Sequence, residues 1–303
     1  MSNEINSFNI ITFDGGGIKG ALSIALLNRL NEHYPTLVDK ASLLGGTSTG
    51  SFIAIALAYG LPISKILEIY INGGGEYIFS KSYPGIIRSK YSTEKVKEVL
   101  LNIFPENLTL RDLKKFVVIP TFYLGDNENE WRPIFYNNIP GSPTENCNVI
   151  DVMLYSSAAP IYFPIYKNHI DGGIIANDPS LACLIHALDD ELAKRIGNIK
   201  MISIGTGHSY NRVLVDDDNN WGAMDWIINK EPPYPIVSIA LEGNSQFSQV
   251  CTSKLLDENY VRVDPYIDSS IGLDDYKSIQ KLVNIGEECN IDYVLKWIAE
   301  KWN

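Results

Sequence analysis

Ser48 lies in a stretch whose residue types and spacing could carry nucleophilic chemistry, Gly46-Thr47-Ser48-Thr49-Gly50. An apolar run precedes it at 42–44, and an apolar pattern of helical spacing follows at 52–59. The sequence therefore predicts a strand, a tight glycine-flanked turn with the serine at its apex, and a helix whose N-terminal N–H groups favour negative charge. Such a serine is a candidate nucleophile for acyl transfer. The alternative is an ordinary glycine-rich turn before a helix.

A second glycine-rich segment, Asp14-Gly15-Gly16-Gly17-Ile18-Lys19-Gly20, follows an apolar run at 8–13 and precedes a helical pattern at 21–34. Its spacing matches G-x-G-x-x-G, but the nearest acidic candidate, Asp39, precedes the second strand instead of ending it. A phosphate loop is also disfavoured, since Ser51 stands where that loop needs lysine. Three consecutive glycines can instead turn several N–H groups toward one oxygen, as an oxyanion hole requires.

Asp171-Gly172-Gly173 is the third segment with chemical potential, and Asn177-Asp178-Pro179 opens another helical pattern soon after it. A carboxylate on such a tight turn could take the proton of Ser48 directly. The alternative is a plain turn, because Asp and Gly are both favoured in turns for backbone reasons.

Together these segments resemble the patatin-like phospholipase family. The matching pieces stand in the family's order and span about two thirds of the chain: Asp14 to Gly20, Gly46 to Gly50, Ser156 to Pro160 with Tyr162 to Pro164, Asp171 to Gly173 with Asn177 to Pro179, and Ile202 to Gly207. Each motif is weak alone, but five in order are specific. The resemblance implies an α/β fold with three α/β/α layers around a mainly parallel sheet, and lipid acyl hydrolysis.

The resemblance also implies roles for individual residues. It makes Ser48 the nucleophile and Asp171 the base of a catalytic dyad. It places the oxyanion hole at Gly15, Gly16 and Gly17. Supporting positions carried over from the motifs are Asp14, Lys19, Gly20, Gly46, Thr49, Gly50, Gly172, Gly173 and Asn177. Lys19 is a departure, since the family usually has arginine there; the positive charge is kept but the planar fork is lost.

A histidine could replace the dyad with a conventional triad. His208 follows the serine and the acid and comes directly after a glycine turn at 205–207, so a triad through His208 is the alternative. His33 and His186 fall in helical patterns and are predicted to be structural or surface residues. His169 would share a strand face with Asp171 without needing to reach the serine.

The composition fits a soluble enzyme, and the expected chemistry needs no metal or cofactor. A net charge of −11 argues against binding to nucleic acid duplexes and against simple attraction to an anionic bilayer. No apolar run approaches the ~18 residues of a membrane-spanning helix, and residues 1–7 lack a secretory signal. The four cysteines are widely spaced, without a metal-ligand pattern, and predict reduced thiols. We therefore expect a cytoplasmic enzyme that can also associate with membranes as a peripheral protein.

Strands and helices alternate along the chain, which favours a mainly parallel sheet between helical layers. Strands are predicted at 8–13, 42–45, 115–123, 131–136, 199–204 and 260–264. Helices are predicted at 18–34, 49–59, 64–72, 93–103, 149–157, 178–196, 237–256 and 277–301. A hairpin-like connection around 128–131 predicts an antiparallel sheet edge. We expect a single catalytic domain over residues 1–303, with the family motifs within 8–207 and a largely helical completion at 208–303.

Residues 73–97 could form a lid that meets lipid. This segment joins glycines to aromatic residues and then becomes locally basic on an acidic protein, with apolar residues interleaved. Its basic residues are Arg88, Lys90, Lys95 and Lys97, and the interleaved residues are Ile86, Ile87 and Tyr91. The alternative is a loop with ordinary surface lysines. A helically spaced apolar stripe at 291–302 is predicted to pack in the core.

The sequence therefore predicts a phospholipase A type hydrolase that cleaves fatty-acyl esters at a phospholipid membrane surface. Two alternatives remain open: a carboxylesterase for other substrates, which would use the same nucleophile, and a regulatory lipid-binding pseudoenzyme. Lys19 is the one feature that favours the pseudoenzyme. The lipid headgroup, the acyl position, an activating ligand and self-association are not determined by the sequence.

Overall fold

The structure is a computed structural model that describes residues 7–85, 87–190, 192–213, 220–229 and 234–302. Its sheet has seven strands: β1 (Phe8–Phe13), β2 (Leu43–Gly46), β3 (Phe116–Tyr123), β4 (Arg132–Asn137), β5 (His169–Asp171), β6 (Ile199–Ile204) and β7 (Tyr260–Val263). The order across the sheet is β4-β3-β2-β1-β6-β7, and β5 pairs with β3.

Most neighbouring strands of this sheet are parallel, which confirms the predicted sheet type. Strands β3, β2, β1, β6 and β7 run in one direction, whereas β4 and β5 are antiparallel to β3. The antiparallel edge predicted from the hairpin-like connection is thus formed by β4.

The helices cover both faces of the sheet. They are α1 (Gly20–His33), α2 (Thr49–Tyr59), α3 (Ile63–Ile69), α4 (Gly75–Phe79), α5 (Thr93–Leu101), α6 (Val149–Ser156), α7 (Gly173–Ala176), α8 (Ser180–Asp189), α9 (Ala223–Ile227), α10 (Pro235–Leu256), α11 (Ile279–Glu288) and α12 (Asp292–Lys301). A π turn at Tyr70–Gly74 joins α3 to α4, and short 3-10 turns lie at Gly17–Lys19, Leu110–Asp112, Ile196–Asn198, Asp257–Asn259 and Tyr276–Ser278. Among the described helices, none combines the length and the apolar character needed to cross a bilayer.

Alternation along β1 explains the layers. Successive side chains of a strand point to opposite faces of the sheet. Ile11 and Phe13 accordingly pack into the core formed with α1 and α2, whereas Phe8 and Ile10 pack into a second core that includes Leu184 of α8. A strand buried on both faces lies between helices on each side, so the predicted three-layer arrangement is confirmed.

The helix predicted at 277–301 is wrong in one respect, because it is two helices. The chain turns at Cys289, whose ψ of 139° is not helical. The side chain of Asn290 then accepts a hydrogen bond from the N–H of Asp292, the first residue of α12, at 2.9 Å. The helix predicted at 178–196 is also too long, since α8 ends at Asp189.

The pairing of β3 brings two chain segments together. β4 occupies one side of β3, so β2 and β5 share the other side. β2 pairs with residues 116–118 of β3 and runs parallel to it, while β5 pairs with residues 121–123 and runs against it. The carboxyl ends of β2 and β5 therefore point toward each other across Ile119 and Pro120, and each ends at one of the predicted dyad segments.

Candidate active site

Ser48 occupies a strained turn between β2 and α2. Its φ of 54° and ψ of −120° lie in a region that L-residues rarely adopt. The flanking glycines make the turn possible, because a Cβ at Gly46 would collide with the carbonyl of Gly50, and a Cβ at Gly50 would collide with the carbonyl of Phe13. The turn presents the serine side chain at the N-terminus of α2, as the sequence predicts.

Ser156, at the end of α6, holds this turn in place. The Ser48 N–H donates to the hydroxyl oxygen of Ser156 at 3.0 Å, and that hydroxyl donates to the carbonyl of Pro120 at 2.8 Å. The Ser51 hydroxyl donates to the Ser48 carbonyl at 2.6 Å. The backbone polar groups of the strained residue are thus satisfied, which leaves its side chain available.

Asp171 ends β5 beside Ser48, and only 5% of its surface is exposed. Its carboxylate accepts a hydrogen bond from the Gly173 N–H at 2.7 Å, and the Ser48 hydroxyl lies near enough to influence its ionisation. Burial raises the pKa of Asp171 to about 7, although the Gly173 N–H and the Ser48 hydroxyl favour the charged form and lower it. Because burial outweighs both, the carboxyl is a stronger base than an exposed aspartate.

The glycine loop lies against the same cavity as this pair. The Gly15 N–H donates to the Asn177 carbonyl at 2.9 Å, so it is engaged within the protein. The N–H groups of Gly16 and Gly17 have no hydrogen-bond partner within the described ranges, and the same holds for the N–H of Thr49. Gly17 has a φ of 59°, the left-handed conformation that glycine allows.

The predicted site residues divide into two groups by location. Residues that line the cavity are Asp14, Gly15, Gly16, Gly17, Lys19, Ser48, Thr49, Asp171 and Asn177. The remaining glycines, Gly20, Gly46, Gly50, Gly172 and Gly173, lie where a Cβ would crowd a neighbouring group. For example, a Cβ at Gly172 would collide with the Pro120 carbonyl, so this glycine allows the close passage of β5's end along β3.

Lys19 is a largely buried cation in the cavity wall. Burial lowers the pKa of its ammonium, while the charges of Glu242 and Asp264 raise it. In the described part of the chain, its ammonium forms no ion pair and no hydrogen bond. The positive charge therefore remains free to interact with an anion that enters the cavity.

The cavity has a volume of about 1010 Å³, and its wall carries both apolar and polar side chains. The apolar ones from α2, α4, α5, α6 and the segment after α6 are Phe52, Ile78, Phe79, Val96, Val99, Leu100, Met153 and Phe163. Polar side chains of the wall include Arg212, Ser238, Glu242, Gln249 and Ser270. No group of three or more His, Cys, Asp or Glu side chains suited to a metal ion occurs in the residues described.

The histidines do not contact the serine–aspartate pair. Nδ1 of His208 bonds the Asp264 carbonyl at 2.8 Å, and the ring packs edge-on against Tyr210. His169 is buried on β5, where Nε2 meets the Tyr136 hydroxyl at 2.9 Å and Nδ1 meets a backbone carbonyl at 2.6 Å. Among the described residues, no imidazole is hydrogen-bonded to Ser48 or to Asp171.

Two residues that help to hold the candidate site in place lie outside the segments that the sequence predicts. Asn244 on α10 accepts from the Asn177 N–H at 2.7 Å and donates to the Gly173 carbonyl at 2.7 Å, so it fixes the chain after Asp171. Arg262 on β7 binds Asp14 at the start of the glycine loop. Neither stands in a local motif, and no sequence signal marks them.

The segment predicted as a lid, 73–97, is attached to the body of the protein. Lys90 forms an ion pair with Asp274 at 3.1 Å, and the Lys90 N–H donates to the Ile161 carbonyl at 2.9 Å. Ile87, by contrast, is 85% exposed, and Ile86 lies outside the described residues. Charge attraction to lipid by Lys90 is therefore not supported.

Fold and site together define the class of protein. The family model of the patatin-like phospholipases matches residues 11–184, more than half of the chain. The chain belongs to this family of lipid hydrolases.

Individual relatives are similar over most of their length. Protein teg of Priestia megaterium is 32% identical over 323 residues, which cover 99% of this chain and 100% of that protein. The putative sporulation hydrolase CotR of Bacillus subtilis is 32% identical over 317 residues, covering 97% and 98%. A cGAMP-activated phospholipase of Pseudomonas aeruginosa is 28% identical over 217 residues, covering 67% of this chain and 63% of that protein.

Proposed function

We propose that this protein is a phospholipase A type acyl hydrolase in which Ser48 is the nucleophile and Asp171 is the base. The observation that carries the proposal is the strained serine at the end of β2, brought by the shared pairing with β3 beside a buried carboxylate whose pKa is raised to about 7. A carboxylate with such a pKa can both accept a proton at neutral pH and return it.

In the proposed mechanism Asp171 takes the hydroxyl proton while the Ser48 oxygen attacks the ester carbonyl carbon. The N–H groups of Gly16 and Gly17 are the proposed donors to the developing oxyanion, with Thr49 as a further candidate. Protonated Asp171 returns its proton to the leaving alcohol as the ester C–O bond breaks, which leaves an acyl-enzyme. A water molecule then gives a proton to Asp171 as its oxygen attacks the acyl carbon. The C–O bond to Ser48 breaks while Asp171 returns that proton to the serine oxygen, which releases the fatty acid and regenerates the free serine and the carboxylate.

The cavity supports a lipid substrate. Ser48 and a set of aromatic and aliphatic side chains line the same cavity, and those side chains offer walls for an acyl chain. Lys19, whose ammonium has no ion-pair partner among the described residues, also lines this cavity and could meet a phosphate. This charge favours a phospholipid over an uncharged ester, because a buried cation gains most from an anionic partner.

We also propose that residues 1–303 form one catalytic domain. The supporting observation is that the C-terminal region takes part in both sheet and site: β7 pairs with β6, and Arg262 of β7 binds Asp14. α11 packs along α1 in the same core.

The decisive experiment compares wild type with Ser48→Ala on vesicles of mixed phospholipids without added metal. Mass spectrometry should detect free fatty acid and lysolipid from wild type and neither from the variant, while a fluorophosphonate probe labels wild type alone. Lys19→Met should lower hydrolysis of phospholipid more than that of an uncharged soluble ester. Activity on soluble esters alone would favour the carboxylesterase, and lipid binding without any hydrolysis would favour the pseudoenzyme.

A further inference from the structure

One buried guanidinium joins three loops at the edge of the cavity. Arg262 donates to both carboxylate oxygens of Asp14, at 3.2 and 2.7 Å, and to Asp264 at 2.9 Å. It also reaches Asp178 at 3.4 Å and the Ser203 hydroxyl at 2.7 Å. These carboxylates come from the glycine loop, the segment before α8 and the turn after β7.

The glycine loop is fixed by this network from both sides. Asp14 immediately precedes the three glycines, and the next carbonyl, that of Gly15, accepts the Thr206 hydroxyl at 2.9 Å. The adjacent Gly207 N–H donates to Asp264 at 2.8 Å. The Gly15 N–H meets Asn177, the residue before Asp178. The residues that bond to Gly15 are therefore adjacent to groups that Arg262 holds: Thr206 precedes Gly207, which donates to Asp264, and Asn177 precedes Asp178.

The charges make this arrangement dependent on the guanidinium. Three carboxylates surround one cation, and Asp14 and Asp178 are buried. Burial raises the pKa of Asp14, the guanidinium of Arg262 lowers it, and the charge of Asp178 raises it again. Without the guanidinium these like charges would repel one another in a low-dielectric environment. The planar fork also matters, since lysine cannot make the same paired bonds.

We propose that Arg262 is a positioning residue for the oxyanion-binding loop, acting through Asp14 on the N–H groups of Gly16 and Gly17. The inference rests on the proposed function. It goes beyond the family match, which ends at residue 184 and does not include β7. Arg262 does not touch the substrate; it sets where the donors stand.

The test uses Arg262→Lys and, as a matched control, Arg29→Lys. Arg29 is another partly buried arginine, which donates to the carbonyls of Gly286 and Cys289 and ties α1 to the end of α11, away from the glycine loop. Both variants lose the planar guanidinium group and keep a positive charge at the same position. We expect kcat of the Arg262 variant for a soluble oxo-ester to fall ~100-fold, because small displacements of catalytic donors have effects of that order. KM should change little, and the control should keep its kcat.

A thiono-ester distinguishes positioning from general damage, because sulfur accepts hydrogen bonds weakly and gains little from an oxyanion hole. The variant should lose much less activity on the thiono-ester than on the oxo-ester. Unchanged kcat, or equal losses on the two esters, would overturn the proposal. If Arg262→Lys does not fold, Asp14→Asn decides by the same oxo-to-thiono comparison, since it removes the tether while relieving the charge excess. A wild type that hydrolyses neither ester would refute the proposed function itself, whereas an active wild type with a fully active Arg262→Lys refutes only the positioning role.

Discussion

At the scale of single residues, the protonation of Asp171 governs what Ser48 can do. Burial raises the pKa of this carboxyl to about 7, so near neutral pH about half of the molecules would carry the ionised form. Only that form can accept the serine proton. The same burial therefore makes ionised Asp171 a stronger base and lowers the fraction of enzyme molecules in which Asp171 is ionised.

We predict that kcat for a soluble ester rises about tenfold per pH unit below pH 7 and levels off above it. Imidazole ionises in a similar range, so the midpoint alone does not identify the group. The midpoint should hardly move with temperature, as is typical of a carboxyl group, and it should persist in His208→Ala. A midpoint near that of an exposed aspartate, or its disappearance in His208→Ala, would contradict the dyad.

Asp171 should also affect stability. A carboxyl whose pKa is raised from 3.8 to about 7 on folding favours the folded state while it is protonated, and this contribution is lost as pH rises through 7. Asparagine keeps the shape and can still accept from the Gly173 N–H. Asp171→Asn should therefore be inactive yet more stable than wild type at pH 8, by up to ~4 kcal/mol for about three pKa units.

Urea unfolding at pH 4 and pH 8 tests this prediction. The difference between Asp171→Asn and wild type should be small at pH 4 and large at pH 8. A variant that is equally or less stable at both pH values would show that the aspartate is not held in an unfavourable charged state.

At the scale of elements, the candidate site depends on two strand ends that meet on β3. The strands β1, β2, β3, β4, β6 and β7 are predictable within about one residue, because runs of apolar residues between turn signals are local features. β5 is different: its three residues, His169–Asp171, are too short to show any period. The turn residues Asp171 and Gly172 predict a candidate base, but the pairing with β3 that brings it to Ser48 is not encoded locally.

The segment before α5 offers a prediction at this scale. Lys90 of this segment pairs with Asp274, whereas the side chain of Ile87 is exposed to solvent. We predict that Ile87→Asp lowers hydrolysis of zwitterionic vesicles ~10-fold or more, because inserting an isoleucine into lipid contributes about 1.5–3 kcal/mol. Hydrolysis of a soluble ester should be unchanged.

Lys81→Gln is the matched control for Ile87→Asp, since it removes an exposed positive charge from the same segment. Apolar insertion predicts that this variant keeps its vesicle activity and that the wild-type activity survives high salt, which screens exposed charges. Loss in Lys81→Gln, or strong salt dependence, would instead support electrostatic attachment.

At the scale of the whole molecule, distant parts of the chain complete the site. Arg262 contacts Asp14 across 248 residues of sequence, and Asn244 reaches the segment after Asp171. Glycine turns predicted the nucleophile, the base and the loop because those signals are contained within a few residues. Single polar residues on β7 or α10 carry no such signal, because their partners are decided by how helices and strands pack.

The packing of α11 on α1 gives a stability prediction. A Cβ at Gly286 would lie 2.9 Å from the Cβ of Ala25 and 3.2 Å from the Leu22 carbonyl. Gly286→Ala should therefore destabilise the protein by about 1–3 kcal/mol through overpacking. Gly243→Ala on α10 is the control: apart from its chain neighbours and the nearby backbone of α10, no described heavy atom lies within 4 Å of the position that a Cβ would take, so the gain in helix propensity should stabilise by about 0.5–1 kcal/mol. Thermal unfolding should show shifts of opposite sign, and a shared sign would contradict this account.

The position of Arg262 has a consequence for the making of the protein. During synthesis, Ser48 and Asp171 leave the ribosome well before β7 does, because translation proceeds at only about 5–20 residues per second. If the glycine loop needs Arg262, a nascent chain already holds its nucleophile and its base but lacks a functioning oxyanion hole. Hydrolytic activity would then begin only after β7 has been made and packed, and truncated products that lack β7 would leave membranes intact.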